Sequence, residues 1–60
     1  MKLTTENVGD FVRRSTWDPN VIVEVTAVGR RKILIDRGNG YEDVLANDGE
    51  FQIVYKKDEQ

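Results

Sequence analysis

Apolar and polar residues alternate along most of this chain, and turn-forming residues interrupt the alternation at short intervals. The clearest run is Val21-Ile22-Val23-Glu24-Val25-Thr26-Ala27-Val28, rich in β-branched side chains, in which Val21, Val23, Val25 and Ala27 share one face. Gly29 ends it. Lys32-Ile33-Leu34-Ile35-Asp36 predicts a second strand, which stops at Gly38-Asn39-Gly40. Asn-Gly between two apolar runs marks a tight hairpin, because a type I′ turn needs φ > 0 at both central positions. Tyr41 to Ala46 and Phe51 to Lys56 predict two more strands, separated by Asn47-Asp48-Gly49. Upstream, Val8-Gly9-Asp10-Phe11-Val12-Arg13-Arg14 supplies another, entered through a Gly-Asp turn. Pro19 falls in the loop Ser15 to Asn20, where its missing N–H costs nothing.

No segment carries helical spacing, so the fold class is all-β. Five short strands joined by tight turns are most economically arranged as one small barrel, which also hides the strand edges. On this reading residues 1–7 are a polar lead-in (a loose segment or one short turn), residues 8–56 form the barrel and residues 57–60 are a solvated tail.

The turns also predict a register. A three-residue loop at Gly29-Arg30-Arg31 sets Val28 against Lys32, Ala27 against Ile33 and Val25 against Ile35, keeping the apolar set on one face. A two-residue loop at Asn39-Gly40 sets Arg37 against Glu42, Ile35 against Val44 and Ile33 against Ala46. The opposite face then carries Ile22, Thr26, Leu34 and Leu45, with the carboxylates Glu24, Asp36 and Asp43 beside them. An apolar strip of Ile22, Leu34 and Leu45 rimmed by charge has the character of a protein-binding or self-association surface. The blander expectation is that the sheet bends and tucks these side chains under a loop.

Composition narrows the function. The chain has 60 residues, one domain's worth, and a domain this small buries only about 60% of its unfolded surface. Cysteine and histidine are both absent, which removes disulfides, thiolate metal sites, thiol nucleophiles and the commonest general base. Self-association is the stabilising device left open. The net charge of −2, from 9 basic and 11 acidic residues, argues against a protein dedicated to nucleic acid. No apolar run approaches the ~20 residues that span a bilayer, and Met1 to Glu6 has no signal-peptide core, so a soluble cytoplasmic protein is expected.

Candidate chemistry is sparse. Ser15 and the threonines have no base to activate them, and Glu24, Asp36 and Asp43 on an open sheet face have no cleft to shift a pKa. Neither an enzyme, a cofactor, a metal site nor a small-molecule substrate is expected. Arg30, Arg31 and Lys32 stand together at a hairpin tip that could reach a phosphate backbone, against the plainer reading of a charged soluble turn. Trp17 lies in a polar loop, Thr16-Trp17-Asp18-Pro19, where it either caps the end of a barrel or forms a binding hot spot. Phe51 and Tyr55, alternating with Ile53, are expected in the core.

The opening Val8-Gly9-Asp10-Phe11-Val12 resembles the VGDxV segment that leads into the first strand of many SH3-like small barrels. Trp17-Asp18-Pro19 followed by Val23-Glu24-Val25-Thr26-Ala27-Val28-Gly29 is similar to small phage and prophage proteins, in which a tryptophan loop precedes such a strand. KOW-type modules share the opening but carry a further glycine where this chain has Trp17-Asp18-Pro19. The aromatic motif of eukaryotic SH3 domains and the aromatic cage of Tudor-type domains are missing. The resemblance implies an SH3-like five-stranded barrel with a binding role, in the cytoplasm of a bacterial host. The expected function is a non-catalytic protein-interaction or self-associating accessory module using Trp17, Ile22, Leu34 and Leu45. The alternative is a nucleic-acid-binding barrel using Arg30, Arg31 and Lys32.

Overall fold

In a computed structural model, residues 2–57 are described. Five strands succeed one another: β1 (Phe11–Arg14), β2 (Val23–Val28), β3 (Lys32–Asp36), β4 (Glu42–Ala46) and β5 (Phe51–Tyr55). All pair antiparallel in a single sheet of order β4-β3-β2-β1-β5. The all-β expectation holds. The closed barrel is not reached, because β4 and β5 each pair on one side and not with each other.

The sheet is nonetheless strongly coiled. A flat sheet of five strands would be about 10 Å thick, whereas the molecule measures 27 × 24 × 22 Å. The concave face holds Val12, Val23, Val25, Ile33, Ile35 and Phe51, all buried. Side chains bridge the two free edges at one end. The Arg14 guanidinium donates to the Ala46 carbonyl at 2.9 Å, lies 4.9 Å from the Phe51 ring centre and approaches Asp48 at 3.3 Å. Ser15 adds a backbone bond to the Glu50 carbonyl.

Two irregularities shift the expected register. In β2, Val25 faces Ile35 as expected, but the ladder slips beyond it, so that Ala27 faces Leu34 and Val28 faces Ile33. Thr26 is the extra residue of a bulge, which reverses the phase of the rest of the strand. Ala27 is therefore exposed, while Val28 packs against the core. In the next hairpin, Asn39 (φ 61°) and Gly40 (φ 74°) form the tight turn, closed by Tyr41 N–H donating to the Gly38 carbonyl. Gly38, however, turns its own N–H to the Asp36 carboxylate at 2.7 Å, and Arg37 N–H takes the Tyr41 carbonyl instead. The strands beyond this bulge slip by one, pairing Ile33 with Leu45 and Leu34 with Val44.

The lead-in is one short turn rather than a loose segment. Thr4 caps a 3₁₀ turn over Thr5–Asn7, accepting from Glu6 N–H while the Asn7 side chain accepts from Thr4 N–H. Leu3 is buried and belongs to the core. Of the expected tail, residues 58–60 lie outside the described residues. Lys57 is tied down, its N–H donating to the Asp10 carboxylate and its ammonium to the Val8 carbonyl.

Candidate functional site

The residues that face away from the core are set by the alternation along β3. Ile33 and Ile35 point inward, so Lys32, Leu34 and Asp36 point outward. Register then orders the outer face of β2, β3 and β4 into bands running across the strands. Glu24, Asp36 and Glu42 form one band. Ala27, Leu34 and Val44 form the next. Lys32 and Ala46 form the third, and the exposed Arg30 and Arg31 lie just beyond it in the β2–β3 turn. The face is thus acidic at one end, apolar in the middle and basic at the other. Val44 is 51% exposed and Ala27 is also exposed, while Leu34 between them is half-buried.

The expected strip does not survive in its original form. Leu45 turns to the concave side and packs against the core, because the Gly38 bulge moves Val44 into the outward position. Ile22 is half-buried ahead of β2, and the Glu24–Asp36 pair lies between it and the Leu34 band. Asp43 leaves the predicted carboxylate cluster for the same reason as Leu45. It faces Ile35 across the ladder and binds Arg37 at 3.2 Å, and Glu42 takes its place. Among the described residues no acidic group of three is placed to hold a metal ion.

Trp17 is half-buried and packs on the core. The Arg13 guanidinium donates to its carbonyl at 2.7 Å, and the Arg37 guanidinium lies 5.9 Å from its ring centre. These contacts fix the loop around Trp17. Tyr55 departs from the core expectation. It pairs with Phe11 at a further register shift, stands 62% exposed and meets the Phe11 ring edge to face at 6.5 Å.

The basic turn borders a groove. Lys2, Leu3, Thr4, Thr5, Val28, Gly29, Arg30 and Asn47 line an open depression of about 420 Å³. Lys2 and Arg30 are exposed. Asn47, buried at its base, donates to the carbonyls of Leu3 and Gly29 and accepts from Leu3 N–H, each at 2.9 Å.

The acidic side chains are largely committed to the backbone. Asp10, Asp18, Asp36, Asp43 and Asp48 each accept a main-chain N–H, from Lys57, Asn20, Gly38, Val44 and Glu50 respectively. Such bonds are how Asp holds turns. Asp10 is the buried case. The Asn7 amide and the Lys57 N–H, with Lys56 and Lys57 nearby, hold its carboxyl below the usual carboxylate range despite burial. It is a structural group, since it also receives Val25 N–H on its own carbonyl and so ties the chain before β1 to β2.

Three buried residues of this framework carry little sequence signal: Leu3 is an isolated apolar residue in a polar segment, and Asn7 and Asn47 read only as polar residues near turns. Among the described residues no helix is long and apolar enough to cross a membrane. No protein-family model, curated protein or solved structure matches the chain.

Proposed function

We propose that this chain is a non-catalytic binding module, an SH3-like small barrel of the phage and prophage type, that offers the outer face of β2, β3 and β4 to a protein surface. The observation carrying this reading is the apolar band Ala27–Leu34–Val44, flanked along the strands by carboxylates on one side and a basic turn on the other. An apolar centre with a charged rim is the general anatomy of a protein interface. The coiling of the sheet and the Arg14 bridge between its edges support the barrel description. The fold analogy favours binding over catalysis but does not choose a partner.

The β4 edge itself is a poor docking strand. Val44 N–H is taken by the Asp43 carboxylate at 2.9 Å and the Ala46 carbonyl by Arg14. Edges blunted in this way resist pairing with another strand, which leaves the side-chain face as the surface on offer.

A photo-crosslinking side chain at position 44, compared with one at Asn39 in the turn, tests the reading in cells producing the chain. Adducts at position 44 that Leu34→Lys removes are expected. Absence of any position-dependent adduct overturns it.

A second reading, nucleic-acid binding, is favoured by one observation. Lys2 and Arg30 flank the same groove, and neither they nor Arg31 and Lys32 have an acidic partner among the described residues.

A further inference from the structure

The bands of the outer face have an order, and that order specifies an occupant. Along the strands the face runs from Glu24–Asp36–Glu42, through Ala27–Leu34–Val44, to Lys32 with Arg31 and Arg30 in the turn beyond. Residues two apart on a strand are about 6.8 Å apart, so Lys32 and Asp36 sit at nearly equal distances on either side of Leu34. A surface with this symmetry of spacing and antisymmetry of charge complements itself. We infer that the face docks a second copy of this chain, about a two-fold axis that crosses the strands at the level of Leu34.

This inference rests on the reading above, and it commits that reading to one partner. Turning one copy about such an axis reverses the strand direction and leaves each strand facing its counterpart. The apolar band then meets its own copy. Lys32 and the basic turn of each protomer come over the acidic band of the other. Rotation about an axis along the strands would instead stack carboxylates on carboxylates, so charge selects one of the two face-to-face arrangements. Two sheets packed face to face stand about 10 Å apart, a gap that side chains the size of Leu and Val fill.

Two further observations agree. Glu24, Asp36 and Glu42 are neighbours on adjacent strands, a like-charge arrangement that destabilises an isolated sheet and is relieved by an incoming cation. Arg30, Arg31 and Lys32 have no carboxylate partner within the chain among the described residues. A standard interface takes about 800 Å² from each partner, roughly a fifth of the 4237 Å² surface of this chain. Three strands of five or six residues, about 4.8 Å apart, present a smaller face than that, with only a small apolar centre, so a weak, salt-sensitive dimer is expected.

Sedimentation velocity on the purified chain, from micromolar to millimolar concentration, tests this at about 50 mM and about 500 mM salt, either side of a ~10 Å screening length. Dimer formation that weakens severalfold at the higher salt is expected. Lys32→Glu, which sets a carboxylate over Asp36 of the other protomer, weakens it at least tenfold, and adding Glu42→Lys, which puts a cation beside Asp36 in the same acidic band, recovers at least threefold of that loss. Both positions are exposed on the folded chain, so the variants keep their fold, which far-ultraviolet dichroism checks. A chain monomeric at millimolar concentration and low salt overturns the inference. So does a dimer that ignores both substitutions. If the chain is monomeric yet position 44 still crosslinks to another protein, the second copy is overturned and the binding face stands. If neither occurs, both fall.

Discussion

Asn47 and Leu3, 44 positions apart, exchange two hydrogen bonds as a pair of strand residues would. The Asn47 amide donates to the Leu3 carbonyl and its oxygen accepts Leu3 N–H, both at 2.9 Å. A side chain thereby imitates a backbone ladder and sews the N-terminal segment to the end of β4. The same amide reaches the Gly29 carbonyl, so one residue joins three separate parts of the chain.

Removing it leaves those backbone groups without partners in a buried place. Asn47→Ala is expected to lose about 2–3 kcal/mol, at the high end for one polar side chain because several groups are orphaned together. Urea unfolding followed by Trp17 fluorescence measures it, and Leu3→Ala should show a loss of similar size through the cavity it leaves.

Asp10 predicts the acid response. Its folded carboxyl titrates below the ordinary value of 3.8. The unfolded chain therefore binds a proton first as the pH falls. The stabilisation is fully present above the unfolded value, then declines through pH 4 and is lost below the folded value. In Asp10→Asn the new amide faces the Asn7 amide, the donor that the carboxylate accepts from in the parent. The variant should be less stable than the parent at neutral pH, with a gap that narrows as the pH approaches 2. Thermal melts across that range read the difference.

Thr26 makes a prediction of opposite sign. Its hydroxyl oxygen is buried without a hydrogen-bond partner among the described residues. Valine has the same branched shape and no group to desolvate, so Thr26→Val is expected to stabilise by about 1 kcal/mol. A rise in urea midpoint with unchanged slope is the signature.

Arg14 separates stacking from charge. Its guanidinium covers Phe51 and holds the Ala46 carbonyl, while its ion pair with Asp48 is partly exposed. Arg14→Lys keeps the charge but not the planar contact, and should cost about 1–2 kcal/mol. Asp48→Ala removes the ion pair, worth under about 1 kcal/mol, together with the N–H bond Asp48 accepts from Glu50. A stability loss for Arg14→Lys that persists in high salt identifies the stacked contact.

The nucleic-acid reading is settled by anisotropy with labelled mixed-sequence DNA and RNA. At near-physiological salt, no binding is expected at micromolar protein. Binding that falls steeply with salt, and is lost in Arg30→Ala with Arg31→Ala, would move the function to the basic turn and its groove.

How far the residues alone foretell this molecule depends on where the chain is regular. Val23, Val25, Ile33 and Ile35 declare their strands and their inward side, because β-branched alternation is a local property. On β4 the alternation is off by one residue, placing Leu45 on the outer face where Val44 stands. Nothing local marks that slip. It comes from Asp36 competing for the N–H of Gly38, a choice between two hydrogen bonds that either strand pattern would accept. Tyr55 leaves the core in the same way, through the shift between Phe11 and Val12. The clasp at Asn47 is invisible in the sequence because its partner is distant in the chain, and an Asn beside a turn ordinarily signals only the turn.

Thr26 shows how little chain is needed to choose which side of a sheet becomes surface. A strand with a period of two reads like a code with two frames, and one inserted residue changes the frame for everything downstream. Were Thr26 held in a regular ladder, it would itself stand opposite Leu34, with Ala27 inside and Val28 outside. Removing Thr26 altogether has no such effect. Ala27 would then follow Val25 directly, still outward opposite Leu34, with Val28 still inward opposite Ile33. A one-codon deletion at the bulge would thus straighten β2 and leave the lettering of the docking face as it is.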